Sequence, residues 1–169
     1  YVVSNAAINP FMPWDATDIE DFNELFEVNV RGSWVVCTEG ARQMIAEKHG
    51  GAIVMISSIS AHVGSPTQVA YCGTKGAITM LGKALGSVLG NHGIRVNVVE
   101  PGAVRTNMSA PMFEMPDVVK YYEDRIALHR VAEPSELAAT VAFLLSDDAS
   151  YVTSASLLVD AGFIVNAEL

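Results

Sequence analysis

The stretch YCGTK at residues 71–75 sets a tyrosine and a lysine four positions apart. On a helix that spacing puts both side chains on one face, one turn from each other. A phenol has a reference pKa of about 10, and a neighbouring ammonium favours its ionised form. Tyr71 beside Lys75 is therefore a candidate general acid or base. Pairs of this kind also occur as solvated neighbours on helix surfaces, so the surroundings decide. Ser58 lies 13 residues before Tyr71, at the end of an apolar run. Asn29 interrupts an apolar helical face, where an amide needs a partner. Asn5 closes the first apolar run, and PGAVRTN follows a later one.

These residues must be carried by alternating strands and helices. YVVSNAAI, AIVMISS, IRVNVVEPG and ASLLVDAG are short apolar runs of the kind that form buried parallel strands. Between the first two, residues 18–48 place Phe22, Leu25, Phe26, Val30 and Met44 at helical spacing, with Thr17 as the expected N-cap and the glycines of KHGG as the stop. Residues 69–91 form a second long helix, and PSELAATVAFLLSD a third with Pro134 in its first turn. This alternation predicts an α/β fold, a single domain over 1–169 built on a parallel sheet. Residues 103–132 have no clear period. A long connection at the carboxyl end of a strand reads as a lid over a ligand site.

Composition narrows the function. Half the residues are hydrophobic and the net charge is −9, with no basic cluster, which argues against a nucleic-acid partner. The apolar runs are too short to span a bilayer, and no signal peptide opens the sequence, so a cytoplasmic location is expected. Cys37 and Cys72 read as reduced structural cysteines. His49 and His92 precede glycines at helix ends, and no histidine pair has ligand spacing with a third partner, so no metal site is expected.

Taken in order, SNAA at 4–7, Asn29-Val30, Ser58, YCGTK and PGAVRT at 101–106 resemble the elements of the short-chain dehydrogenase/reductase family: NNAG, an Asn, a Ser, YxxxK and PGxxxT. The resemblance runs over the whole chain. It implies a Rossmann-like doubly wound parallel sheet and a hydride transfer between NAD or NADP and a secondary alcohol or carbonyl. By the same resemblance Asn29, Ser58, Tyr71 and Lys75 are catalytic. Tyr71 exchanges the proton, Ser58 orients the reacting oxygen, Lys75 lowers the phenol's pKa and grips the ribose, and Asn29 holds a water that relays protons. Asn5, Ala6, Ala7, Pro101, Gly102, Val104 and Thr106, with Tyr71 and Lys75, are the implied cofactor contacts. Asn5 is equally suited to tying strands together, and Pro101-Gly102 to stopping one.

Departures from the family pattern are specific. Ala7 stands where glycine is usual, which is tolerable only if its backbone angle is negative. Ser154 and Ala161 also replace common glycines. The glycine-rich loop TGxxxGxG, which seats the pyrophosphate at a helix N-terminus, does not occur. The chain therefore reads as the carboxyl-terminal two-thirds of such an enzyme, lacking its first three strands. A natural truncated homologue, or a catalytically silent interaction protein on this scaffold, is the reading of another class. Asn9, His62 and Gln68 are expected to face the substrate, with Met108 and Met112 either packing in the core or forming an adaptable apolar wall. ISSISAHVGSPTQVAY and YVTSASLLVDAGFIVN look most like the sugar dehydrogenases of the family, particularly those oxidising L-rhamnose or related aldoses. SNAAINPF looks more like its carbonyl and retinal reductases. A sugar or polyol is thus the expected substrate, with a 3-oxoacyl thioester as the alternative. The family pairs its two long helices between subunits, which implies a homodimer or homotetramer.

Overall fold

The computed structural model describes residues 1–166. Four parallel strands form one sheet in the order β1 (Val2–Ser4), β2 (Gly51–Ile56), β3 (Ile94–Pro101), β4 (Ser156–Val159). The register is continuous, with Val3 opposite Val54, Met55 opposite Val98 and Pro101 opposite Val159. Ala52, Ile53, Val54 and Met55 are all buried, because both faces of β2 are covered. On one face Ile53, Met55, Val96 and Val98 meet helices α2 (Gly32–Glu47) and α3 (Val69–Leu89), through Cys37, Met44 and Ile78. On the other, Val54 and Val99 pack on Leu144 of α6 (Pro134–Leu145). The doubly wound sheet read from the sequence is therefore present.

The first long helix differs from its expected form. It begins as α1 (Ile19–Leu25), opens into a π segment over Phe26–Arg31, and continues as α2. Its N-cap is Asp18 and not Thr17. Asp18 Oδ1 accepts the Asp21 N–H at 2.9 Å and Asp21 Oδ2 the Asp18 N–H at 3.2 Å, a reciprocal capping box. The Thr17 hydroxyl instead turns back to donate to the Pro13 carbonyl. At the far end Lys48, ahead of the glycines, takes the left-handed capping conformation (φ 59°). The long connection after β3 is also less irregular than its sequence. It holds α4 (Ala110–Phe113) and α5 (Pro116–Arg125), each opened by a proline in its first turn. Backbone bonds between Ala103, Arg105 and Ala132 pin its two ends together.

Helix α3 lies unusually close to β3. A Cβ on Gly82 would fall 2.2 Å from Val98 Cγ2, and one on Gly86 would fall 2.9 Å from the Val96 carbonyl oxygen. Ser154 (φ 58°) and Ala161 (φ 51°) occupy the left-handed region, where a side chain is strained, while Ala7 does not. Two stability changes of opposite sign are expected in urea or thermal unfolding. Gly82→Ala loses about 1–3 kcal/mol through overpacking. Ala161→Gly gains about 0.5–1 kcal/mol by relieving the backbone.

Candidate active site

The carboxyl ends of β1, β2 and β3 open into one cavity of about 930 Å³. Asn5, Ala6, Ala7 and Asn9 line it from the loop after β1. Ser57 and Ser58 enter from the end of β2, and Gln68, Tyr71 and Lys75 from the start of α3. Pro101, Gly102, Val104, Thr106, Met108 and Met112 line it from the segment after β3. Fourteen widely separated positions read from the sequence are thus brought to one space. Gly102 is required by packing as well, since a Cβ there would lie 2.8 Å from Asp160 Cα.

Within the cavity the pairing at residues 71–75 is real. The Lys75 ammonium lies 5.4 Å from the centre of the Tyr71 ring and donates to the Ile56 carbonyl at 2.9 Å. The Ser58 hydroxyl faces the Tyr71 phenol closely enough to lower its pKa. Ser58 is itself fixed as the N-cap of a 3₁₀ turn over Ile59–Ala61, its Oγ accepting the Ser60 N–H at 3.1 Å. Electrostatics depart from the sequence expectation. Burial pushes the Tyr71 phenol up to about 12, against the smaller lowering effect of Ser58. Burial also pulls the Lys75 ammonium down to about 8. Each group is desolvated, and the pair alone does not generate a phenolate near neutral pH. Tyr71 is held there as a protonated donor.

Asn29 is fully buried and does not line the cavity. It sits in the π segment and grips the backbone of Ile8, accepting its N–H at 2.8 Å and donating to its carbonyl at 3.0 Å. Its other amide hydrogen reaches Thr74 Oγ1 at 3.2 Å. Asn29 therefore ties the Asn5–Asn9 loop to the helix that carries Tyr71 and Lys75. Both its N–H donors are used in that tie.

His62 is a correction. Its Nε2 is 2.8 Å from Glu100 Oε2, at the end of β3, and it does not line the cavity. A buried carboxylate demands partners, and His62 answers that demand instead of facing substrate. Sequence reading missed Glu100 altogether, because a glutamate ahead of Pro101 in an apolar strand carries no spacing signal. It also missed the wall formed by Leu137, Val141 and Leu145 of α6, whose helical periodicity does not tell cavity from core. Asn9 lines the cavity, with its Oδ1 buried and without a protein hydrogen-bond partner.

The sequence profile of a family described as enoyl-(acyl carrier protein) reductase matches residues 1–164. The chain belongs to the short-chain dehydrogenase/reductase family. It is 40% identical over 167 residues to an L-rhamnose 1-dehydrogenase (NAD(P)(+)) of Sphingomonas sp. strain SKA58, covering 99% of this chain and 66% of that one. It is 37% identical over 165 residues to carbonyl reductase [NADPH] 2 of Sus scrofa, covering 98% and 68%. Among solved structures, a gluconate 5-dehydrogenase from Burkholderia cenocepacia J2315, in complex with NADP and tartrate, superposes with a TM-score of 0.94 at 30% identity, covering 98% of this chain and 65% of that one. The chain thus spans just under two thirds of the first of these relatives. Among the described residues no helix is long and apolar enough to cross a membrane.

The shifted groups set a pH signature for stability. Folded Lys75 holds its proton less tightly than the ordinary 10.5, so unfolding takes up a proton between pH 8 and 10.5 and stability rises with pH across that window. Tyr71 works oppositely, since its folded phenol keeps the proton that the unfolded chain releases near 10, so stability falls from pH 10 towards 12. Urea midpoints measured in steps from pH 7 to 11 should lose the rise in Lys75→Met and lose the fall in Tyr71→Phe.

Proposed function

We propose that this protein catalyses hydride transfer between a nicotinamide cofactor, NAD or NADP, and a secondary alcohol or carbonyl of a small polar substrate, a sugar or polyol. The observation that carries the reading is the convergence of Ser58, Tyr71 and Lys75 on one cavity, with the Lys75 ammonium 5.4 Å from the Tyr71 ring and the Ser58 hydroxyl facing the phenol. A volume of about 930 Å³ is at the large end for a ligand pocket, enough for part of a dinucleotide and a small substrate together.

Tyr71 is assigned the proton transfer. Protonated at neutral pH, it gives its proton to the carbonyl oxygen in the reducing direction and is left as the phenolate; in the oxidising direction the phenolate takes the alcohol's proton. Ser58 orients that oxygen and stabilises the charge developing on it. When bound, the nicotinamide supplies or accepts the hydride and, in its oxidised form, brings a positive charge that favours the phenolate. Asn5, Ala6 and Ala7 would hold the adenosine side of the cofactor. Pro101, Gly102, Val104 and Thr106 would hold its nicotinamide end, and Lys75 its ribose. Asn29 keeps the two halves of this set in register through Ile8 and Thr74. A proton relay through Asn29 would use its main chain or the remaining lone pair of its Oδ1.

The sugar reading rests on the polar Asn9 and Gln68, which line the cavity together with the apolar Met108 and Met112. The L-rhamnose and gluconate relatives agree with it. A carbonyl reductase is the second reading, favoured by the apolar wall from α6 and by the Sus scrofa relative. The outer surface supports self-association. Phe26, Val30, Trp34 and Leu81 line an open groove between the first long helix and α3, beside exposed Val35 and Met80. We assign this face to a homodimer or homotetramer.

Nicotinamide absorbance, followed over a panel of aldoses, polyols, ketones and 3-oxoacyl thioesters with the full-length natural protein, tests the activity. Tyr71→Phe should lower kcat by about 10²–10⁴-fold while cofactor binding stays nearly constant. Unchanged turnover in that variant would refute the assignment. Light scattering should give two or four chains per particle, and Trp34→Glu should shift it to one.

A further inference from the structure

Glu100 is 1% exposed at the carboxyl end of β3, and no part of it lines the cavity. Burying a carboxylate costs several kcal/mol unless its partners are well placed, and an apolar side chain of similar size would follow the buried Val98 and Val99 at less cost. The partners are well placed. Thr79 of α3 donates to Oε1 at 2.7 Å and His62 Nε2 meets Oε2 at 2.8 Å. The Ser156 hydroxyl turns towards the carboxylate without completing a well-shaped bond. Burial pushes the Glu100 carboxyl up, but these groups and the His62 charge together hold it below its ordinary value. It is therefore an acceptor at neutral pH, and Thr79 must spend its only hydrogen on it. Thr79 Oγ1 also lies 2.9 Å from Ser57 Oγ, whose hydroxyl donates to the Lys75 carbonyl at 2.8 Å.

The geometry gives the carboxylate a place in the reaction. Ser58 and His62 are the two ends of one 3₁₀ turn, Ser58 its N-cap and His62 its C-cap. Backbone bonds close it, from Ala61 N–H to the Ser58 carbonyl and from His62 and Val63 N–H to the Ile59 carbonyl. Beyond these and a long 3.8 Å contact of the Cys72 thiol with the Val63 carbonyl, the tie between its far end and the sheet is the His62 side chain, which among the described residues has Glu100 as its sole side-chain partner. A short turn fixed at both ends cannot roll, and rolling would swing the Ser58 hydroxyl away from Tyr71.

We propose that His62 and Glu100 are positioning residues that fix the Ser58 hydroxyl against Tyr71 by locking the far end of the Ile59–Ala61 turn. This rests on the assignment of Ser58 and Tyr71 above. A double-mutant cycle in the full-length natural protein separates positioning from general support of the fold. His62→Ala should lower single-turnover rates about tenfold with the cofactor dissociation constant changed less than about twofold. His62→Gln, which keeps an N–H donor, should recover most of that loss. In a Ser58→Ala background, His62→Ala should change the residual rate by less than about twofold, because the hydroxyl it positions is gone. An equal loss in both backgrounds, or none in the parent, overturns the proposal. A crystal structure of His62→Ala beside one of the parent decides it without turnover: the Ser58 Oγ to Tyr71 Oη distance should lengthen, and an unmoved hydroxyl overturns the pairing. Absence of nicotinamide turnover in the unaltered protein would count against the proposed activity alone.

Discussion

The close seating of α3 on β3 is the constraint on which the rest of the structure depends. Gly82 and Gly86 remove two side chains at the contact, so the helix backbone rests directly on Val96 and Val98. A helix is a stiff rod that rises about 1.5 Å per residue. Fixing it at Gly82 therefore fixes Lys75, two turns earlier, and Tyr71, one turn before that, relative to the strand ends. Had α3 been held off by ordinary side chains, the same two residues would stand away from Ser58 and the Ile56 carbonyl. The reactive groups are placed by packing far from the cavity.

Two electrostatic tensions follow from that burial. Tyr71 and Lys75 are both driven towards their neutral forms, in opposite directions on the pH scale, but at about 8 Lys75 still keeps most of its charge at neutral pH while Tyr71 stays neutral. A second ionised group, Glu100, lies one layer behind, where serine, threonine and histidine side chains surround it. The phenol that must exchange a proton is thus kept neutral while the layer behind it is kept charged. This division suits a site in which a proton must move and its scaffold must not.

Much of this was legible in the sequence because the underlying physics is local. The four apolar runs give the strands, the central β2 and β3 buried on both faces, and the YxxxK spacing gives a shared helical face. Fourteen predicted positions meet at the strand ends because an open parallel sheet gathers whatever follows its strands. What was not legible is tertiary. Thr17 and Asp18 are equally good caps on paper, and the carbonyl of Pro13 drew Thr17 away. The aperiodic 103–132 segment hides α4 and α5, because α5 presents Tyr122 to Phe163 across the chain and not to a continuous stripe. His62 looked like a substrate contact because its carboxylate partner lies 38 positions away. The elevated pKa of Tyr71 depends on burial, which a neighbouring lysine in the sequence cannot reveal.

The π segment at Phe26–Arg31 has a bearing on how sequences of this kind can change. A π turn takes in one residue more than an α-helix needs for the same stretch. Removing one residue there would restore an uninterrupted helix, but everything on one side would turn by about 100° relative to the other. Asn29 would then leave Ile8 and Thr74, or α2 would take Cys37 and Met44 out of the core. The length of this helix is consequently locked as firmly as its chemistry. Alignments through this region should tolerate substitutions more readily than gaps.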